Sequence, residues 1–136
     1  MTRALKVDKH GKLKISEADI EETCSDWLAF DGWRRLKTNP CSDRSRGKGF
    51  GELGMADDLY VRYLRVYRSE PQICLAHVMW IEWKSARGQL SQHQRAWTRV
   101  ERLRSALVLV AGLDFPASIE GFQDWYRASG LMRFKI

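Results

Sequence analysis

Glu82 and Lys84 have the types and spacing best suited to chemistry in this chain. They close an apolar run that begins at Ile73, and in an extended strand side chains two apart share a face. A carboxylate and an ammonium side by side at the border of a core are costly unless something engages them. A divalent cation with a phosphate ester would do so. The carboxylate would hold the ion, and the lysine would steady an attacking water or the charge developing on phosphate oxygens. Upstream, Gly54-Met55-Ala56-Asp57 opens a second strand with another carboxylate. Asp, then Glu-x-Lys, is the pattern of a metal-dependent phosphodiesterase.

Two aspartates compete for the upstream position. Asp57 would share its strand face with Leu59 and Val61, and Asp58 with Tyr60 and Arg62. The more apolar face is expected to meet the core and the site, which favours Asp57. The competing reading leaves both at the strand entrance in water. Gly54 would permit a positive φ or a close approach of backbone to substrate. Gln94 falls in the Leu90, Gln94, Trp97 spacing of a helical stripe, where an amide needs partners. A carboxylate, a phosphate or a water would serve. Glu17 opens the first helix, where an acid also simply complements the helix dipole. His77 and His93 lack a Cys, Asp or His at ligand spacing and read as structural or surface residues. Neither a Gly-x-x-x-x-Gly-Lys-Ser/Thr loop nor a Gly-x-Ser-x-Gly elbow occurs, which argues against P-loop nucleotide hydrolases and serine hydrolases.

The elements that must position these groups follow from period and punctuation. Ser16 is an N-cap, with Asp19 completing a variant capping box, and Ile20, Cys24, Trp27 and Leu28 form the apolar stripe of a first helix. Asp31-Gly32 stops it. Trp33 to Lys37 reads as a short strand, and 38–54, with Pro40 and four glycines, as a loop. Strands over 57–67 and 73–84 are separated by a turn containing Pro71 and pair as a hairpin. Ser91 caps a helix running to about Arg104, and the continuous apolar run 106–111 predicts a buried strand returning parallel to a neighbour. A closing helix ends near Ser129. The expectation is α/β: a mixed sheet with helices on both faces, a basic arm or hairpin over 1–15 and one domain over 16–136.

A chain of 136 residues suits one domain that buries roughly two-thirds of its surface. No apolar run approaches the ~20 residues of a membrane helix. The amino terminus lacks a signal-peptide core, and Cys24, Cys41 and Cys74 are odd in number and scattered. The expectation is a cytoplasmic protein with reduced thiols. The net charge of +6 suits a polyanion. Its distribution says more: Lys84, Arg87, Arg95, Arg99, Arg102 and Arg104 face one acid, Glu101, and Arg44, Arg46 and Lys48 sit in the glycine-rich loop. A solvated basic surface is the competing account of the charge.

Three segments carry a family resemblance: Phe50-Gly51-Glu52-Leu53-Gly54-Met55-Ala56-Asp57, Ile81-Glu82-Trp83-Lys84, and Gly88-Gln89-Leu90-Ser91-Gln92-His93-Gln94-Arg95-Ala96-Trp97. With the opening helix from Glu17 and the apolar strand at 106–111, they resemble a VRR-NUC domain, the virus-type replication-repair branch of the PD-(D/E)XK nucleases, over about residues 16–112. The resemblance implies a restriction-endonuclease-like fold and a Mg2+- or Mn2+-dependent endonuclease. It makes Asp57, Glu82 and the Trp83 backbone carbonyl the metal ligands. Lys84 would position or activate the water, Gln94 would be the helix glutamine, and Glu17 the amino-terminal acid near the metal. Ala56 stands where many members have proline, and the stretch of 24 residues between Asp57 and Glu82 makes a long hairpin. Stand-alone members resemble Holliday-junction resolvases, which implies branched DNA as substrate and a homodimer. Lys48, Arg87, Arg95 and Arg99 are the expected DNA-backbone contacts. Two rivals stand beside this reading: a duplex- or sequence-directed nuclease of a phage or mobile element, and a nucleic-acid-binding module without cleavage.

Overall fold

The computed structural model describes residues 7, 9–11, 15–38, 51–64 and 74–133. Helix α1 (Glu17–Phe30) begins where Ser16 accepts the Asp19 N–H at 3.1 Å while the Asp19 carboxylate accepts the Ser16 N–H at 3.0 Å. This is the expected capping box. It ends at Asp31, and Gly32 takes φ +90°, the left-handed conformation that closes a helix. Its inward face is wider than the apolar stripe alone, because Glu21 and Ser25 are buried beside Ile20, Cys24 and Leu28.

Four strands follow: β1 (Arg34–Lys37), β2 (Asp58–Leu64), β3 (Leu75–Glu82) and β4 (Val108–Val110), in spatial order β1-β2-β3-β4. The first three form an antiparallel meander, and β4 lies parallel to β3 with Glu82 paired to Val110. A parallel return needs a crossover, supplied by α2 (Gln92–Leu103). Helix α3 (Ile119–Ala128) closes the fold. The strands are shorter than the apolar runs suggest at their described ends, and Trp83 and Lys84 lie just beyond β3. The 65–73 part of the expected hairpin, Lys48, Cys41 and most of the 1–15 arm fall outside the described residues.

Helices cover both faces of the mixed sheet, as expected of the α/β class. On one side α1 and α3 enclose Tyr60, Met79, Ile81, Trp83 and Leu109, and Trp83 meets Phe115 and Phe122 edge-on at 5.8 and 5.2 Å. On the other side α2 packs Trp97 against Trp80 at 5.0 Å, over Ala56 and Val108. Among the described residues no helix is long and apolar enough to cross a membrane.

Alternation along β2 runs against the expectation drawn from hydropathy. Its buried residues are Asp58, Tyr60 and Arg62, while Leu59 and Val61 are half-buried. The polar face is the inner one because Asp58, Tyr60 and both terminal nitrogens of Arg62 find partners there, with Arg62 Nε alone unpaired among the described residues. Arg62 is 1% exposed. It pairs with Asp31 at 2.9 Å, reaches His77 Nδ1 at 2.9 Å and lies 4.5 Å from the Trp33 ring centroid. Tyr126 donates to the same Asp31 carboxylate, which also accepts the Arg133 N–H at 3.0 Å. Asp31 therefore joins α1, β2, α3 and the chain after α3.

Removing one partner of such a pair leaves a buried charge without compensation. Asp31→Ala is expected to lower stability by ~3–5 kcal/mol in urea titrations. Asp124→Ala, which breaks the exposed Arg127 pair, should change it by less than ~0.5 kcal/mol. Equal effects would mean that Arg62 does not depend on its partner.

A candidate catalytic site where β2 begins and β3 ends

The register that pairs Asp58 with Ile81 brings Asp57 opposite Glu82. The Asp57 N–H donates to Glu82 Oε2 at 3.1 Å, and the Trp83 N–H donates to Asp57 Oδ2 at 2.9 Å. Each carboxylate is thus held by backbone from the neighbouring strand. Lys84 Nζ lies 3.3 Å from Glu82 Oε1, and Gln94 Nε2 donates to the same oxygen at 2.7 Å. The Gln94 Oε1 accepts from Lys84 Nζ at 3.1 Å and from the Ser91 N–H at 2.9 Å. With two donors on the amide oxygen and a carboxylate on the nitrogen, the amide has one orientation that satisfies all three.

Gln94 is therefore the third residue of α2 in a capping box with Ser91, and not a member of an apolar stripe as its spacing suggests. One side chain fixes the helix start, the lysine and the glutamate together. Gly54 has a related role. It has φ +78°, and a Cβ there would lie 2.2 Å from the His93 carbonyl oxygen. Its close approach is to the first turn of α2, which seats the Asp57 segment against that helix.

Electrostatics set the two carboxylates apart. Burial pushes the Glu82 carboxyl up to about 8, the Asp57 charge adds to this, and Lys84 opposes it. Burial likewise raises Asp57 to about 6, against the Trp83 N–H, with further repulsion from Glu21, Glu17 and Asp58. An oxygen-only pair, Glu82 buried and Asp57 half-buried beside it, fits a hard divalent cation, which would offset the negative charge of both. Among the described residues no three or more His, Cys, Asp or Glu side chains gather as ligands. A cation here would rest on two carboxylates with backbone or water oxygens.

The strand-face reason for preferring Asp57 over Asp58 fails. The face of Asp58 is the buried one, and its carboxylate is already engaged. It accepts Arg35 Nε at 2.9 Å and the Trp83 indole N–H at 2.9 Å. Asp57, one residue before β2, is instead aligned with Glu82. Sequence reasoning missed Glu21 and Arg35. Glu21 accepts Arg35 at 2.6 Å and Lys37 at 2.8 Å, close enough to Asp57 to repel its charge. The available signal was spacing, since Glu21 and Ser25 each follow a residue of the apolar stripe, Ile20 and Cys24, by one position. Glu17 is half-buried at the head of α1 and also raises Asp57. Of the expected DNA contacts, Arg95 and Arg99 lie exposed on α2 and Arg87 in the turn before it.

A carboxyl with a raised value in the fold holds its proton where the unfolded chain has released it. The native state then binds more protons, so the stability of the metal-free protein falls as pH rises from about 4.5 to about 8 through Glu82. Melting in chelating buffer should give a lower Tm at about pH 8.5 than at about pH 6, and Glu82→Gln should flatten the difference. A wild-type Tm that rises over this window would mean that the Glu82 anion is stabilised in the fold.

No family model, no curated protein and no solved structure matches this chain, so the reading of the site comes from its own residues.

Proposed function

We propose that the chain is a metal-dependent endonuclease of the VRR-NUC type that hydrolyses phosphodiester bonds in branched DNA, working as a homodimer. The observation that carries this reading is the meeting of Asp57, Lys84 and Gln94 on the one buried carboxylate of Glu82. The α/β core, with a mixed sheet and helices on both faces, is compatible with the restriction-endonuclease-like fold the resemblance implies.

Asp57, Glu82 and the Trp83 carbonyl would hold Mg2+ or Mn2+. When bound, such an ion supplies Lewis-acid stabilisation of the phosphate oxygens and acidifies water. The chain supplies the rest. Lys84 is part-buried, and its ammonium is anchored by Gln94 and Glu82, so its remaining proton can be directed at a water or a phosphate oxygen. Water attacks phosphorus in line, the bond to the leaving sugar oxygen breaks, and charge gathering on the non-bridging oxygens falls beside Lys84. Gln94 keeps the Lys84 ammonium from collapsing wholly onto Glu82. Glu17 and Glu21 add negative potential on the side of α1. Arg87, Arg95, Arg99 and Lys48 would contact backbone phosphates, and two symmetric sites would let a small chain cut both strands of a junction.

The test is cleavage of a labelled four-way junction and of linear duplex with the same sequence, with and without magnesium. Lys84→Ala and Asp57→Asn are expected to lower the rate at least ~100-fold while leaving DNA binding within about threefold. Magnesium should raise the Tm of the wild type and not of Asp57→Asn. Asp58→Asn should destabilise the fold by ~1–3 kcal/mol and cost less activity than Asp57→Asn. Binding without cleavage under any divalent cation would leave a nucleic-acid-binding module, and preference for duplex would leave the duplex-directed nuclease.

A further inference from the structure

The basic face of α2 forms the wall of an open groove. Two cavities of ≈ 390 and ≈ 450 Å³ share Leu90, Arg95, Val110 and Leu113, and each is within the range of small-ligand sites. The floor is the carboxyl end of the parallel pair β3–β4, where crevices in α/β sheets take their ligands. Val110 is the register partner of Glu82. Gly88 lines the same groove and packs on the Lys84 stem, since a Cβ there would lie 3.1 Å from Lys84 Cβ and Cδ. The groove thus begins one strand away from the candidate site.

Its chemistry is of two kinds. Arg95, Arg99 and Arg102 are spaced to share one side of α2 and all line the groove. Arg95 is fixed by the Leu90 carbonyl at 3.1 Å. Arg102 is fixed by the Val108 carbonyl at 2.9 Å and neutralised by Asp114 at 2.7 Å. Among the described residues Arg99 has no ion-pair or hydrogen-bond partner. Beneath this charge lie apolar groups with little cover: Leu113 is 72% and Leu103 76% exposed. A duplex would offer phosphates to the arginines and nothing to the leucines, because its bases are stacked inside. An unpaired nucleotide offers an anion and an apolar base face together.

We infer that this groove binds a single-stranded DNA nucleotide, its base against Leu103 and Leu113 and its phosphate on Arg95 and Arg99. The inference deepens the endonuclease reading by placing an unpaired stretch next to the bond to be cut. It rests on that reading for the cleavage step alone, and binding stands without it.

Binding needs no cation, so the test is fluorescence anisotropy of metal-free protein with a labelled oligothymidylate of about 12 nucleotides. Its abasic counterpart and a duplex are the comparisons. The oligothymidylate should bind at least about fivefold more tightly than the abasic chain. Leu113→Asp, at a largely exposed position, should remove that preference. Arg99→Glu should weaken both single strands and lower the salt slope by about one. Equal binding of the abasic chain, a neutral Leu113→Asp, or stronger displacement by polyglutamate than by oligothymidylate would each overturn the groove assignment. The two readings fail separately. A chain that cleaves without base preference loses only the groove, and one that binds oligothymidylate through Leu113 without ever cleaving loses only the nuclease.

Discussion

Trp83 is the residue through which the core reaches the candidate site. Its ring is fully buried against Phe115 and Phe122, its indole N–H holds Asp58, and its backbone N–H holds Asp57. Adjacent aspartates on one chain would ordinarily compete for the same donors. Trp83 separates them by giving the side-chain donor to one and the backbone donor to the other. Asp58 becomes a structural anion paired with Arg35, and Asp57 is left facing Glu82. The placement of the carboxylates therefore depends on aromatic packing between the sheet and α3.

That placement is electrostatically unfavourable. Burial raises both Asp57 and Glu82, the Asp57 charge raises Glu82 further, and Glu21 and Glu17 add to the effect on Asp57. Lys84 offsets part of this, and the Gln94 amide supplies hydrogen bonds without charge. A fold under selection for stability alone would favour apolar residues of similar volume at a buried ion pair. The contrast with Asp31 is informative. There a buried carboxylate is surrounded by Arg62, Tyr126 and the Arg133 N–H. Asp31 gathers three donors, whereas Asp57 and Glu82 stand against each other, and this contrast supports the proposed cation between them.

Much of this was legible in the sequence. Helix caps, the crossover and the buried parallel strand are written in local signals: Ser16 with Asp19, Ser91, and the unbroken run around Val108–Val110. Glu82 and Lys84 were visible because an alternating charge pair ends an apolar run. What hydropathy could not show was which face of β2 is inward. It ranks Leu59 and Val61 above Asp58 and Arg62, whereas the fold buries the charged pair because β1, the end of α1 and α3 bring Arg35, Asp31 and Tyr126 to meet them. Those partners are 23 to 64 residues away in the chain, beyond any periodic pattern. Glu21 is hidden for the same reason, and at Gly54 the expected positive φ is present while the close neighbour is the first turn of α2.

Helix α2 links the two halves of the proposed functional surface. Its first turn holds Gln94 on Glu82 and Lys84, and its next turns carry Arg95, Arg99 and Arg102 toward the groove. The acids lie on the other side, on α1 and at the start of β2. Across the end of β3 the acids Glu17 and Asp57 thus stand apart from the arginines of α2, with Glu21 offset by Arg35 and Lys37. A polyanion would be drawn to the α2 side and repelled from the α1 side, and a divalent cation would have the opposite preference. The two come together only over Glu82 and Lys84. Orientation of a phosphate chain at this edge thus depends on which helix lies on which side of the sheet, and the crossover through α2 is what places the arginines there.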